Sequence, residues 1–165
     1  MGLGVFASAA LGTAATPAGA DARCTGQQGP NSAKPESYQQ QYSTAVFRPL
    51  KNDLQTYQSA AASGNPRQTG QAATALYGEI ETDLMMFGTQ SWFGCYDPAV
   101  LANLQQSATT FASTLDDISG AAASFSGRTP ADIPALIAQA RPQEKTYIEA
   151  LNAYAKQFGG EQIPS

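Results

Sequence analysis

The groups in this sequence that could do chemistry are few, and most of them come in pairs. Arg48-Pro49 and Arg141-Pro142 are two Arg-Pro pairs inside helical patterns. Cys24 and Cys95 are the only thiols, and Trp92-Phe93-Gly94-Cys95-Tyr96-Asp97-Pro98 holds the only tryptophan. Carboxylates gather as Glu79, Glu81 and Asp83, and again as Asp116 and Asp117. There is no histidine. Its absence removes Ser-His-Asp and Cys-His nucleophilic sites, the commonest metal ligand and the Glu-x-x-His motif of di-iron bundles. A lone cysteine would lack its base, and no Gly-rich phosphate loop, zinc spacing or haem-attachment motif occurs. The chain reads as a non-enzyme with no cofactor and no metal.

Each remaining group has a sharp and a plain reading. A proline inside a helix removes a hydrogen bond and crowds the carbonyl four residues back, so the helices carrying Pro49 and Pro142 are expected to kink. Pro49 lies about 14 residues from the start of the first helix and Pro142 about 16 from the end of the last, nearly the same level in an antiparallel pair. Two kinks at one level would bow the helices apart, and Arg48 and Arg141 would hold the carboxylate or phosphate of a small amphipathic ligand there. The plainer reading, which is preferred, leaves both arginines facing solvent. Trp92, Phe93 and Tyr96 are a partner-protein contact if exposed and a plug over the end of the bundle if buried. The plug is preferred. Alternate positions on a helix face different sides, so Glu79, Glu81 and Asp83 read as a solvated face, and no Asp-x-Asp-x-Asp-Gly cation loop is present.

Four helical patterns position these groups. The first runs over about 35–62 with Tyr38, Tyr42, Val46, Leu50, Leu54, Tyr57 and Ala61 on one face. Asn65-Pro66 caps the second, which carries Ala72, Ala73, Leu76, Ile80, Leu84 and Phe87 and stops near Gly88. Asp97-Pro98 caps the third, where Leu101, Leu104, Ala108, Phe111, Leu115, Ile118, Ala122 and Phe125 step by three and four as far as Gly127. Thr129-Pro130 opens the fourth, with Ile133, Ile137, Ala140, Tyr147, Leu151, Tyr154 and Phe158 on its face, Pro134 and Pro142 interrupting its first half, and Gly159-Gly160 as the stop. Strand signals are absent. The fold class is all-α: an antiparallel up-down four-helix bundle over 35–160 with proline-kinked first and last helices, one disulfide and a tail over 161–165.

Composition bounds where such a bundle works. At 165 residues it is one domain, with 13 % charged residues and a net charge of −4. The nine basic residues are scattered and none are adjacent, which argues against nucleic acid and against a polybasic membrane patch. Residues 3–12 are a short apolar run leading to Ala20-Asp21-Ala22, an A-x-A cleavage site, so 1–22 reads as a signal peptide, although no basic residue precedes the run. The run is too short to span a bilayer, so no transmembrane segment is expected in the mature chain. Cys24 does not fit a lipobox, since Asp21 and Arg23 stand at its −3 and −1 positions. Residues 23–34 read as a tether. Export allows Cys24 to pair with Cys95, on the order of 4 kcal/mol by chain entropy. In an up-down bundle both cysteines lie at the same end.

The function most compatible with these residues is an exported, non-catalytic interaction module of the cell envelope or medium, whose partner is another protein or an envelope component. One alternative is a carrier of a small amphipathic or anionic ligand between the first and last helices. Another is a structural subunit of an envelope complex, hinted at by Phe47, Tyr77 and Tyr147 lying partly off the core faces. The Ala-, Gly- and Gln-rich, Lys-poor composition resembles that of small secreted proteins of high-GC bacteria, which implies no family and no site residues.

Overall fold

The computed structural model of the chain describes residues 35–88, 97–125 and 127–164, and among these every regular element is helical. Cys24, Cys95, Trp92, Phe93 and Tyr96, together with the leader 1–22 and the tether 23–34, lie outside the described residues. The first helix is built from α1 (Pro35–Tyr42), a π-helical turn (Ser43–Phe47) and α2 (Arg48–Ser63). The second is α3 (Pro66–Gly88) and the third α4 (Pro98–Ala122). The fourth is a 3-10 turn (Pro130–Asp132) running into α5 (Ile133–Lys156). No helix of the described residues is long and apolar enough to cross a membrane.

The caps explain where the helices start. The Asn65 side chain accepts from the amides of Arg67 and Gln68, and Asp97 Oδ1 accepts from Ala99 at 2.8 Å. The Thr129 amide donates to Asp132 Oδ2 at 2.7 Å, closing the turn that leads into α5. Pro66, Pro98 and Pro130 follow these caps, where a missing N–H costs nothing.

Prolines further in behave differently from one another. The π turn comes just ahead of Pro49, where the Arg48 amide donates to the Ser43 carbonyl five residues back. A tighter α turn there would press the proline ring against the Ala45 carbonyl. Pro134 does not interrupt the fourth helix, because α5 begins at Ile133 and the proline falls in its first turn. Pro142 lies inside α5, which runs on to Lys156.

Cross-helix contacts fix the arrangement. Thr69 Oγ1 donates to Ala60 O between the first and second helices, and the Thr74 and Ser119 hydroxyls meet at 2.7 Å between the second and third. The Phe111 and Tyr147 rings lie 6.0 Å apart between the third and fourth. Gln39 Nε2 donates to Phe158 O, and Gln58 Nε2 to Glu144, between the first and fourth. Between the second and third helices 70 meets 122 and 74 meets 119, between the third and fourth 111 meets 147 and 114 meets 139, and between the first and fourth 39 meets 158 and 58 meets 144, so these pairs run antiparallel in a bundle. Leu50, Leu54, Leu76, Ile80, Leu104, Leu115, Ile118 and Leu151 fill its centre. Second and third helices pack closely at Gly70, where an added Cβ would lie 2.2 Å from that of Ala122.

Two features of the apolar pattern turn out otherwise than expected. The third helix ends at Ala122 rather than Gly127, and Phe125 is 71 % exposed rather than in the core. The Phe125 amide donates to Gly120 O at 2.8 Å and the Ser124 amide to Ala121 O at 3.1 Å. These are the two bonds of a Schellman close, with Ser124 at φ 56° in the place glycine usually takes. Phe47 and Tyr147 lie in the core, which removes the hint of an outer apolar stripe. A left-handed L-residue costs about 1–2 kcal/mol, so Ser124→Gly is expected to raise the unfolding free energy by about 1 kcal/mol in urea denaturation.

Candidate functional site

The first and fourth helices stand further apart than the other neighbours, and the space between them is a groove of about 410 Å³. Ala61 and Ala62 of α2 and Ile137 and Ile148 of α5 make its apolar walls, and Pro164 closes one end. Its polar groups are Tyr57, Gln58, Arg141, Glu144 and Lys145. Helical spacing produces the set: Tyr57 and Ala61 are four apart on α2, while Ile137, Arg141, Glu144 and Ile148 step by four, three and four on α5.

The electrostatics of the groove are uneven. Glu144 is engaged by Gln58 at 2.5 Å, and Lys145 reaches Glu149 at 3.8 Å. Arg141 has no carboxylate within ion-pair distance among the described residues. Tyr57 lies on the floor, 2 % exposed, and its hydroxyl has no hydrogen-bond partner. Burial pushes that phenol up to about 12; Glu144 adds to the rise and Arg141 opposes it. An exposed cation without a carboxylate partner among the described residues and an apolar wall thus share one cleft of ligand size.

The sequence-predicted groove residues are only partly brought together. Arg141 lines this groove, whereas Pro142 faces the other side of α5, in a cleft with Asn103, Gln106, Ser107 and Thr110 of the third helix. Arg48 and Pro49 line neither cleft. They lie nine and ten residues before Gln58 and its partner Glu144, on the order of 14 Å along the first helix.

The feature that the sequence pattern did not assign is Asp83. It is wholly buried, and neither carboxyl oxygen has a hydrogen-bond partner among the described residues. Tyr42 and Tyr147, both 0 % exposed, stand near enough to feel its charge, and their hydroxyls are also without partners. Burial first, and Glu79 second, push the Asp83 carboxyl up to about 8. Burial raises Glu79, with Asp53 adding to it, and burial raises Asp53. The acidic set is therefore no solvated face at Asp83. The legible signal was its position, since 76, 80, 83 and 87 step by four, three and four through the core face of α3. Of the other acids, Asp117 pairs with Arg128 at 2.7 Å, and Asp116 is exposed. No three of Asp, Glu, Cys and His among the described residues come together to hold a metal ion.

The tail also has structure. Ile163 is 6 % exposed, and its backbone is clamped by Asn152, whose Nδ2 donates to Ile163 O at 2.7 Å while its Oδ1 accepts from the Ile163 amide at 2.8 Å. Gly159, at φ 74°, turns the chain back toward the first helix.

Compared with protein-family models, curated proteins and solved structures, the chain matches none.

An acid whose folded value is raised binds its proton more tightly folded than unfolded. Stability is then fully present below the unfolded value of 3.8 and is lost as pH rises toward about 8. The loss is at most roughly 1.4 kcal/mol per pH unit across that window. Asp83→Asn is expected to remove this slope in urea melts taken between about pH 5 and pH 9, and to leave the variant more stable than the parent at the alkaline end.

Proposed function

We propose that the protein is a non-catalytic binding module that takes a small amphipathic anion into the groove between its first and fourth helices. The observation that carries this reading is Arg141, which has no ion-pair partner among the described residues and lines the same cleft as Tyr57, Ile137 and Ile148. The anionic head pairs with the Arg141 guanidinium, whose planar fork suits carboxylate, phosphate or sulfonate. The apolar part lies on Ala61, Ile137, Ile148 and the ring of Tyr57. Bowing of the first helix at its π turn and of the fourth at Pro142 is part of the same proposal, as the means by which the two helices part.

A second reading, a protein contact through Trp92, Phe93 and Tyr96, is favoured by one observation. Met85, seven residues before Trp92 on the last turns of α3, is 69 % exposed. Both readings suit an exported protein whose Cys24 and Cys95 are joined, an arrangement supported by the way the start of α1 and the end of α3 come to the same end of an antiparallel pair. Peptide mapping without reductant is expected to recover Cys24 and Cys95 in one linked species.

Anilinonaphthalene sulfonate, a fluorescent amphipathic anion, tests the groove. One saturable site is expected on the full chain, and Arg141→Gln is expected to weaken it about tenfold, or about 1.4 kcal/mol. Arg48→Gln should leave the affinity unchanged. Equal affinity in the Arg141→Gln variant and the parent would remove the groove as the site.

A further inference from the structure

The segment after the fourth helix crosses the bundle between that helix and the first, and it is held in two places. Its first half lies on the start of the first helix: Gln39 Nε2 donates to Phe158 O at 2.8 Å, and the Ser43 hydroxyl bonds the Glu161 carboxylate. Gly160 rests so close to Tyr42 that an added Cβ would stand 3.1 Å from the ring, and the Phe158 ring meets Tyr42 edge-on at 5.2 Å. Its second half is the Asn152 clamp on Ile163, which sets Pro164 as the end wall of the groove.

Tyr42 therefore has the strap on one side and the buried Asp83 on another. We propose that this C-terminal strap is released by loss of the Asp83 proton, so that the proton carried in the core sets how far the groove between the first and fourth helices is open. The inference rests on the groove reading above for its consequence, but not for the release itself.

The physical argument is one of charge without a counter-charge. An ionised carboxylate in an apolar core requires a cation, hydrogen bonds or water. Asp83 has neither oxygen partnered. The charged groups acting near it are all acidic: Glu79 on its own helix, Asp53 from the first helix acting through Glu79, and Glu161 from the strap acting on Tyr42. The fourth helix contributes the neutral Tyr147. The third helix has no charged or titratable residue from Pro98 to Leu115. On ionisation the site must admit water, and the element that yields is the one held by side chains rather than by a helix ladder. That element is the strap, which rests on Tyr42 and is held through the side chains of Gln39, Ser43 and Asn152.

Hydrogen exchange of the Ile163 amide in the full chain, expressed as a protection factor, reads the release without any ligand. Between about pH 6 and about pH 9 the protection is expected to fall at least about tenfold in the parent and to stay level in Asp83→Asn, which keeps the shape of the neutral acid. Asn152→Ala, with the clamp removed, is expected to be unprotected at both values while its helical circular dichroism is unchanged. Anilinonaphthalene sulfonate, anionic throughout this range, should bind more tightly to the parent at the higher pH and equally at both in Asp83→Asn. Level protection in the parent, or an equal fall in Asp83→Asn, would overturn the proposal. Normal strap release with no binding of the sulfonate at either pH would overturn the groove and leave the strap standing.

Discussion

A carboxyl group with no partner sits where the core face of the second helix meets the first and the fourth, and its surroundings must keep it neutral. Asp83 occupies a position that leucine or isoleucine would fill by pattern, between Ile80 and Phe87. Around it the helices contribute rings and hydroxyls, Tyr42 and Tyr147, and among the described residues no cation is seen to act on it. A buried acid of this kind is retained at a cost in stability that apolar packing elsewhere must offset. That packing is one cluster of buried leucine, isoleucine, alanine and aromatic side chains drawn from all four helices.

The same tyrosines tie this locus to the groove. Tyr147 lies against Phe111, and Phe111 meets Tyr57 edge-on with ring centroids 6.3 Å apart, so a run of aromatic rings leads from the acid to the groove floor. On the outside, the strap packs on Tyr42 with its first half and lines the groove with Pro164. The space between the first and fourth helices is thus shared: the chain itself fills one half, and the other half is open toward the turn at Gly64. Gln58 and Glu144 bridge the open half and set its width.

Much of this architecture was legible in the residues, and the reasons for the gaps are specific. Asn65, Asp97 and Thr129, each followed by proline, mark three helix starts because capping chemistry is local and depends on few neighbours. Phe125 continued the three-and-four rhythm of the third helix, but a serine can adopt the left-handed close that the pattern reserves for glycine, and the rhythm outran the helix. Residue type outweighed residue position at Asp83. The alternative of a groove between the first and last helices placed it at the level of Pro49 and Pro142, whereas the cleft there is lined by Arg141 without Arg48, Pro49 or Pro142. Levels were counted from helix ends, and that count cannot see that the chain beyond Lys156 folds back and occupies one half of the interface. Its docking depends on the Asn152 side chain, and no periodicity encodes that pairing.

Whether the open half of the groove takes an amphipathic anion can be read from backbone amide shifts while decyl sulfonate is added to the full chain. The amides of Gln58, Ala61, Ala62, Ile137, Arg141 and Ile148 are expected to move together along one saturable curve. Shifts confined to the end of the second helix around Met85, with these six unmoved, would contradict the groove as the site and point instead to a surface at the other end of the bundle.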